Sequence, residues 1–252
     1  MTLRQDRSHG SRTTRIMRVS IHQPHYLAWL PYLGKIVRSD VFIILDDVEF
    51  TRNGYQNRNR IKTAQGALTL TVPVKQKLAQ KIMDVAVAED GWRKKHWASI
   101  QQAYRKAPFF KQFEAELQAF YDQPWSNLAD PVSAMLEWLI KAVQHPARVV
   151  RSSSLGVTSS STQRLVELVR AVDGTSYLSG AHALQAYLDP AIFEQNGMPL
   201  ELFDWSCPTY PQAHGDFVPN LAALDALFYV GPEATLELAR RGGSIRALAS
   251  QT

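Results

Sequence analysis

Two short runs of apolar, mostly β-branched residues stand near the start of the chain, and each ends in polar side chains. Val19-Ser20-Ile21 leads into His22-Gln23-Pro24-His25-Tyr26, and Val41-Phe42-Ile43-Ile44-Leu45 leads into Asp46-Asp47. Runs of this kind predict strands buried on both faces, as in parallel sheets. Between them, Leu27, Leu30, Leu33, Ile36 and Val37 recur at helical spacing, which predicts a helix over Tyr26–Arg38. Gly34 weakens that helix, so its presence points to a close contact. Strand, short helix and strand in this order predict a right-handed crossover and parallel pairing.

Thr51 to Lys62 reads as a polar loop dense in Asn and Arg. Leu68-Thr69-Leu70-Thr71-Val72-Pro73-Val74 alternates as a half-exposed strand, with Pro73 near its end, and Ile82 to Val87 predicts another. From Trp92 to about Tyr121 the pattern is helical, broken at Ala107-Pro108. A further helix runs from Pro131 or Val132 to Val143, with Leu136, Leu139, Ile140 and Val143 on one face. Val149-Val150 is a short strand, followed by a Ser-rich segment, Ser152–Ser161, that suits a linker or a strand and helix cap. Thr162 to Val172 is an amphipathic helix with capping hydroxyls before it. Ser176-Tyr177-Leu178 and Leu200–Phe203 are strands, and Pro219–Tyr229 and Glu233–Arg240 are closing helices. The expected fold is α/β: a mixed sheet with an N-terminal β-α-β unit and a largely helical middle segment. Residues 17–245 are expected to form one such domain, with two subdomains divided near 150 as the variant, after an extension over 1–16.

Composition narrows the function classes. The chain has 252 residues, 45% hydrophobic and 20% charged, which is ordinary for a globular protein. No apolar stretch approaches the roughly 18 residues of a membrane span. Residues 1–18 hold Arg4, Arg7, Arg12, Arg15 and Arg18 against Asp6, a local +4 of the net +5. The rest is near neutral, so a DNA-binding surface is not expected. The first sixteen residues, polar and without apolar periodicity, lack a secretory signal. A transit peptide, a disordered extension and an early start site, with Met17 as the initiator, are the alternatives. A lone Cys207 excludes an internal disulfide and a multi-cysteine metal site, and the expected location is the cytoplasm.

Ligands of open α/β sheets bind beyond the carboxyl ends of the strands. His22, Asp46 and Asp47 at two such ends are the expected catalytic residues, suited to acid–base chemistry. His22 also fits a plain turn histidine, but Gln23 supplies an amide beside it and Pro24 stiffens the turn. Neighbouring strand residues alternate sides, so Asp46 and Asp47 are not expected to form a carboxylate dyad. One is expected in the cleft and the other at the turn, although turn capping explains either. Carboxylates suit magnesium or manganese, yet no third ligand stands at a recognisable spacing, and neither metal nor cofactor is expected. Asn57-Arg58-Asn59-Arg60 suits an anion clamp through guanidinium forks, or a solvated turn. Cys207, in Trp205-Ser206-Cys207-Pro208, needs a lowered pKa and a base to act as a nucleophile, and most free cysteines are inert.

The chain resembles the WbqC-like proteins. The shared pattern runs through His22-Gln23-Pro24-x-Tyr26-Leu27, Gly34, Asp40-Val41-Phe42, Leu45-Asp46-Asp47-Val48, Asn57-Arg58-Asn59 and Val72-Pro73-Val74. It resumes in Tyr104, Ser179-Gly180, Tyr187-Leu188, Tyr210-Pro211-Gln212, Phe217, Asp225-x-Leu227-Phe228 and Gly231-Pro232, so that it spans Arg18 to roughly Leu238. Cys207 matches no cysteine of that pattern. The resemblance implies a role in O-antigen or other surface-polysaccharide biosynthesis, with transfer of an aminoacyl or acyl group onto an amino sugar or amino acid. The donor would be an aminoacyl or acyl group on a tRNA, a carrier-protein thioester or an adenylate, and the near-neutral body mildly disfavours the tRNA. His22 would take the amine proton, Asp46 or Asp47 would orient the imidazole or hold the amine, and Gln23 and Asn57 would donate to the oxyanion. Arg58 would hold a diphosphate or carboxylate, with Tyr26, Asn59, Tyr210 and Gln212 as further substrate contacts.

Two other readings compete. His22-Gln23-Pro24-His25 loosely echoes the His-rich turn of nucleotidyltransferases, although no Gly-rich phosphate loop occurs. Six Trp and nine Tyr would also suit a non-catalytic sugar-nucleotide or carrier-binding protein.

Overall fold

A computed structural model describes residues 16–248, so almost all of the expected extension, and with it the question of its order, lies outside the described residues. Strand β1 (Arg18–His22), helix α1 (Leu30–Ile36) and strand β2 (Val41–Ile44) form the predicted unit. The two strands are parallel, with Val19 opposite Val41 and His22 opposite Ile44. An excursion follows: the hairpin β3 (Arg58–Thr63) and β4 (Gly66–Thr71), the small pair β5 (Val74–Lys75) and β6 (Ala86–Val87), then helices α2 (Gly91–Tyr104), α3 (Phe110–Asp122) and α4 (Ala129–Ala142). The chain then returns to the main sheet as β7 (Arg148–Arg151), and α5 (Ser161–Ala171) leads to β8 (Ser176–Gly180). Helices α6 (Ala183–Ala186) and α7 (Pro190–Gln195), strand β9 (Leu200–Trp205), helix α8 (Ala223–Gly242) and strand β10 (Gly243–Ala247) complete it.

The six-stranded sheet has the order β10-β9-β8-β1-β2-β7. All neighbours are parallel except β9 and β10, so the sheet is mixed, as the sequence predicts. From β1 the chain first builds outward through β2 to β7, then returns to the other side of β1 with β8. The order therefore reverses between β1 and β8, which opens a crevice at their carboxyl ends. Residue alternation along the strands sends Val19, Ile21, Val41 and Ile43 into one core with α5, and Phe42 and Ile44 into another with α1 and α8. Helices cover both faces, which explains why β2 reads as an unbroken apolar run.

Several boundaries differ from the sequence expectation. The helix predicted from Tyr26 begins only at Leu30, because Leu27 takes a left-handed backbone (φ 48°) and Pro31 sits in the first turn. The end of the polar loop 51–62 is strand β3, whose buried positions include Asn59 and Ile61, so amides replace apolar residues on its inward side. Ile82–Asp84 forms a 3-10 turn rather than a strand. The two closing helices are present as expected, parted at the non-helical Gly231 (φ 82°) before Pro232 and described together as α8, but the first begins at Ala223 rather than Pro219.

Gly34 makes the close contact expected of it: a Cβ there would lie 2.7 Å from the Trp205 ring and 3.0 Å from the Ala239 carbonyl. Replacing it with alanine should destabilise the fold by about 1–3 kcal/mol, overpacking outweighing the gain in helix propensity. Urea denaturation of Gly34→Ala checks this; an unchanged midpoint would mean that α1 shifts freely against α8.

Candidate active site

A cavity of about 450 Å³ occupies the crevice where the strand order reverses. His22 and Gln23 reach it from the end of β1, Gly180 from the end of β8, and Lys35 from α1. Tyr177, His182 and Tyr187 add aromatic faces, and Leu45, Leu165 and Ala183 add apolar ones. The lining contains no carboxylate.

The His22 ring is fixed by its surroundings. Its Nδ1 stands 3.0 Å from the Gln23 carbonyl oxygen, which can only accept, so Nδ1 carries the proton. Nε2 is then the basic nitrogen of the neutral ring. The His25 ring packs edge-on against His22 at 4.6 Å, and Tyr32 packs against both. Burial lowers the His22 pKa to about 4, helped by the charge of Lys35 and opposed by the Gln23 carbonyl. His25 is held well below its ordinary value, first by burial.

Lys35 was not legible as a site residue. It is 5% exposed, and its Nζ donates to the Ile21 carbonyl at 2.9 Å. No carboxylate among the described residues forms an ion pair with it, and burial alone brings its pKa down to about 7. Its signal in the sequence is the setting Tyr32-Leu33-Gly34-Lys35-Ile36: α1 is apolar on all sides, and such a helix is buried.

Asp46 and Asp47 stand elsewhere on the same rim. The Asp46 carboxylate accepts from Ser153 N at 3.0 Å, Ser153 Oγ at 2.9 Å and Ser152 Oγ at 3.2 Å. Asp47 accepts from Ser152 Oγ and pairs with Arg164 of α5. The two carboxylates thus fasten the end of β2 to the turn after β7, and neither lines the cavity. Both carboxylates reach the one Ser152 hydroxyl, so the alternation expected of neighbouring strand residues does not send them to opposite sides here.

The Asn-rich segment grips the loop after β1. Asn59 Nδ2 donates to the Leu27 carbonyl at 2.7 Å, and Gln56 Nε2 donates to Gln23 Oε1 at 2.7 Å. Tyr26 N bonds the Tyr55 carbonyl at 3.1 Å, and Tyr32 Oη donates to the Gln23 carbonyl at 3.0 Å. Asn57 is buried and donates to the Val72 carbonyl at 2.8 Å. Arg58 bonds the Asn53 carbonyl and, with Asn57, Arg52 and Gln76, lines a separate cavity of about 350 Å³.

Of the remaining candidates, Tyr26 and Tyr210 lie in the core, whereas Gln212 and Cys207 are partly buried. Tyr26 is fully buried, its hydroxyl 2.8 Å from both His96 Nδ1 and Tyr121 Oη. Gln212 latches the following loop through Val218, and its Oε1 accepts from Lys62 Nζ at 3.2 Å. Tyr210 lies beside the buried Asp225, whose pKa is raised by burial and eased down by Tyr104 and Tyr210. Tyr104 Oη donates to Asp225 Oδ2 at 2.9 Å, whereas Tyr210 Oη and Asp225 Oδ1 complete no hydrogen bond. Cys207 has its thiol pKa raised by burial, the opposite of what a nucleophile needs.

A larger cavity, about 790 Å³, opens at the opposite, amino edge of the sheet. Three of its arginines are engaged: Arg18 pairs with Glu201, Arg38 bonds carbonyls at the end of α8, and Arg148 bonds the Val172 carbonyl.

Two predictions follow from the geometry around the 450 Å³ cavity. Asn59→Ala leaves the buried Leu27 carbonyl without its donor and should cost roughly 1–3 kcal/mol in urea denaturation; no change would show that water or a neighbour replaces the amide. The Lys35 pKa of about 7 is depressed below its unfolded value, so the unfolded state holds more protons between those two values. Unfolding free energy should therefore rise by up to a few kcal/mol from about pH 7 toward pH 9, below the range in which tyrosines titrate. His22 and His25, also depressed, give the same sign lower down, with stability lost as pH falls from about 6.5 toward 4. A flat curve between about pH 7 and 9 would show that Lys35 titrates as an ordinary lysine.

Among the described residues, no helix is long and apolar enough to cross a membrane. No solved structure matches the chain. The chain is 33% identical over 221 residues to Uncharacterized protein Rv1507c of Mycobacterium tuberculosis, an alignment covering 86% of this chain and 95% of that protein. The sequence profile of the WbqC-like protein family matches residues 23–237, from the Gln23 of the cavity to the second half of α8. The chain belongs to the WbqC-like protein family.

Proposed function

We propose that this protein is a transferase that forms an amide, moving an aminoacyl or acyl group onto the amine of an amino sugar or amino acid in surface-polysaccharide or related biosynthesis. The observation that carries the reading is the neutral His22 ring at the switch-point cavity, its Nδ1–H fixed on the Gln23 carbonyl and its Nε2 left basic. An attacking amine must lose a proton, and a histidine held in one tautomer is suited to take it. The amine nitrogen bonds to the acyl carbon of an ester or thioester donor, and Nε2 accepts the proton released. The tetrahedral intermediate then expels the alcohol or thiol, which leaves with that proton. Gln23 Oε1 is occupied by Gln56, so the Gln23 amide nitrogen is the end free to donate to the oxyanion, a role worth a few kcal/mol. Tyr187 and His182 offer faces for a sugar ring. Asp46 and Asp47 serve by fixing the rim, and Arg58 with Arg52 suits an anionic part of a substrate at the neighbouring cavity. Carrier-protein thioesters are favoured as donors over tRNA by the near-neutral charge beyond the first eighteen residues.

The test is transfer of a labelled acyl group from a carrier-protein thioester to a hexosamine. His22→Gln should lower kcat by about 10²–10⁴-fold with the fold intact. Full activity in that variant would place the chemistry elsewhere. One observation favours a second reading: read from β7, the strand order is that of doubly wound nucleotide-binding sheets, with His22 and His25 following the first strand. Pyrophosphate release from nucleoside triphosphates with a phosphosugar, in place of acyl transfer, would identify that activity.

A further inference from the structure

The cavity at the switch point also defines the charge of what it holds. Lys35 is buried in its wall without a carboxylate partner, bonded only to the Ile21 carbonyl among the described residues. The groups facing it from the other elements are His22 of β1, His25 of the following loop, and Tyr177, His182 and Tyr187 on the β8 side. None of them is an acid. A buried ammonium without a counter-charge is costly, and a fold retains one at a cavity where a ligand supplies the missing charge. The Ile21 carbonyl takes one of the three Nζ protons, which leaves two for an incoming oxyanion.

We infer that the cavity between β1 and β8 binds an oxyanion, a phosphate or carboxylate carried by the substrate, and that Lys35 supplies its counter-charge. This deepens the transferase reading, on which it rests for calling the ligand a substrate. Burial favours the neutral imidazoles of His22 and His25, so of the buried groups at this end of β1 Lys35 is the one placed to carry positive charge toward the ligand. Binding an anion then takes up a proton wherever Lys35 is neutral in the free protein, so affinity falls as pH rises.

The experiment is a titration of the full chain with sodium sulfate, a phosphate mimic whose charge is constant over the range, and with sodium acetate as the carboxylate mimic. Acetamide is the uncharged control, total ionic strength is held with chloride, and amide shifts at Gln23 and Gly180 are the readout. Saturable binding of one anion is expected near pH 6, weakening by about tenfold per pH unit once Lys35 is neutral. Whichever of sulfate and acetate binds more tightly identifies the oxyanion. Lys35→Met should abolish binding yet melt at or above the wild-type temperature near pH 6, because it removes an unpaired buried charge. Lys35→Arg should retain binding near pH 9, since a guanidinium does not titrate there. No saturable binding near pH 6, equal binding of acetamide, or binding that survives Lys35→Met overturns the inference. So does a Lys35→Met variant that melts lower than wild type, which would make the lysine a strut for the Ile21 carbonyl. His22→Gln should bind sulfate within about twofold of wild type, the neutral imidazole carrying no counter-charge. Loss of transfer activity and loss of anion binding can therefore fail separately.

Discussion

The tie between the loop after β1 and the Asn-rich segment decides where everything at the crevice sits. The loop turns through Leu27 in a left-handed conformation, which costs a non-glycine residue on the order of 1–2 kcal/mol. Asn59 offsets that cost by capturing the Leu27 carbonyl, and Gln56, Tyr55 and Tyr32 hold the stretch before it. Ala28 joins in by accepting from Ala223 at the start of α8. With both flanks pinned, the Gln23 carbonyl is fixed, and through it the His22 tautomer. A side chain's chemistry is thus set by hydrogen bonds that begin more than thirty residues away, at Asn59.

The same crevice sacrifices stability. Lys35 and the two histidines are all held below their ordinary pKa by burial, so acid weakens the fold through each of them. The carboxylates at the end of β2 are held differently: Ser153 N and Oγ donate to Asp46, Arg164 pairs with Asp47, and the one Ser152 hydroxyl proton is shared between the two. Lys35, a buried cation with no carboxylate partner among the described residues, stands where the strand order reverses, the place at which an open sheet binds ligands. Fully bonded charge lines the neighbouring rim.

What the sequence made legible follows from how directly each feature depends on local pattern. Strands β1 and β2 were readable because β-branched runs announce burial on both faces, and the place of His22 was readable because it ends such a run. Gly34 was readable as a contact, since glycine in a helix needs a reason. Strand β3 was not, because its buried positions mix Asn59 and Lys62 with Ile61, and Asn59 is spent on backbone of another loop. Strand β10 was missed because its five residues, Gly243–Ala247, are mostly exposed and carry little apolar alternation. Lys35 is harder to read because lysine usually reaches water: its apolar neighbours hint at burial, and the tertiary contact with the Ile21 carbonyl establishes it. The clustering of Asn57, Arg58 and Asn59 was visible, whereas the loop it grips belongs to long-range geometry.

The two margins of the sheet bear on how copies of this chain meet. One margin, β7, is four residues long and flanked by Arg148 and Arg151; the other, β10, is short, antiparallel and carries Arg246. Brief strands with charged side chains make poor templates for strand addition. Growth of one main sheet into the next is therefore disfavoured. The crevice between β1 and β8 lies at the middle of the six strands, three strands in from either margin, so a copy meeting the sheet at its edge would not cover it.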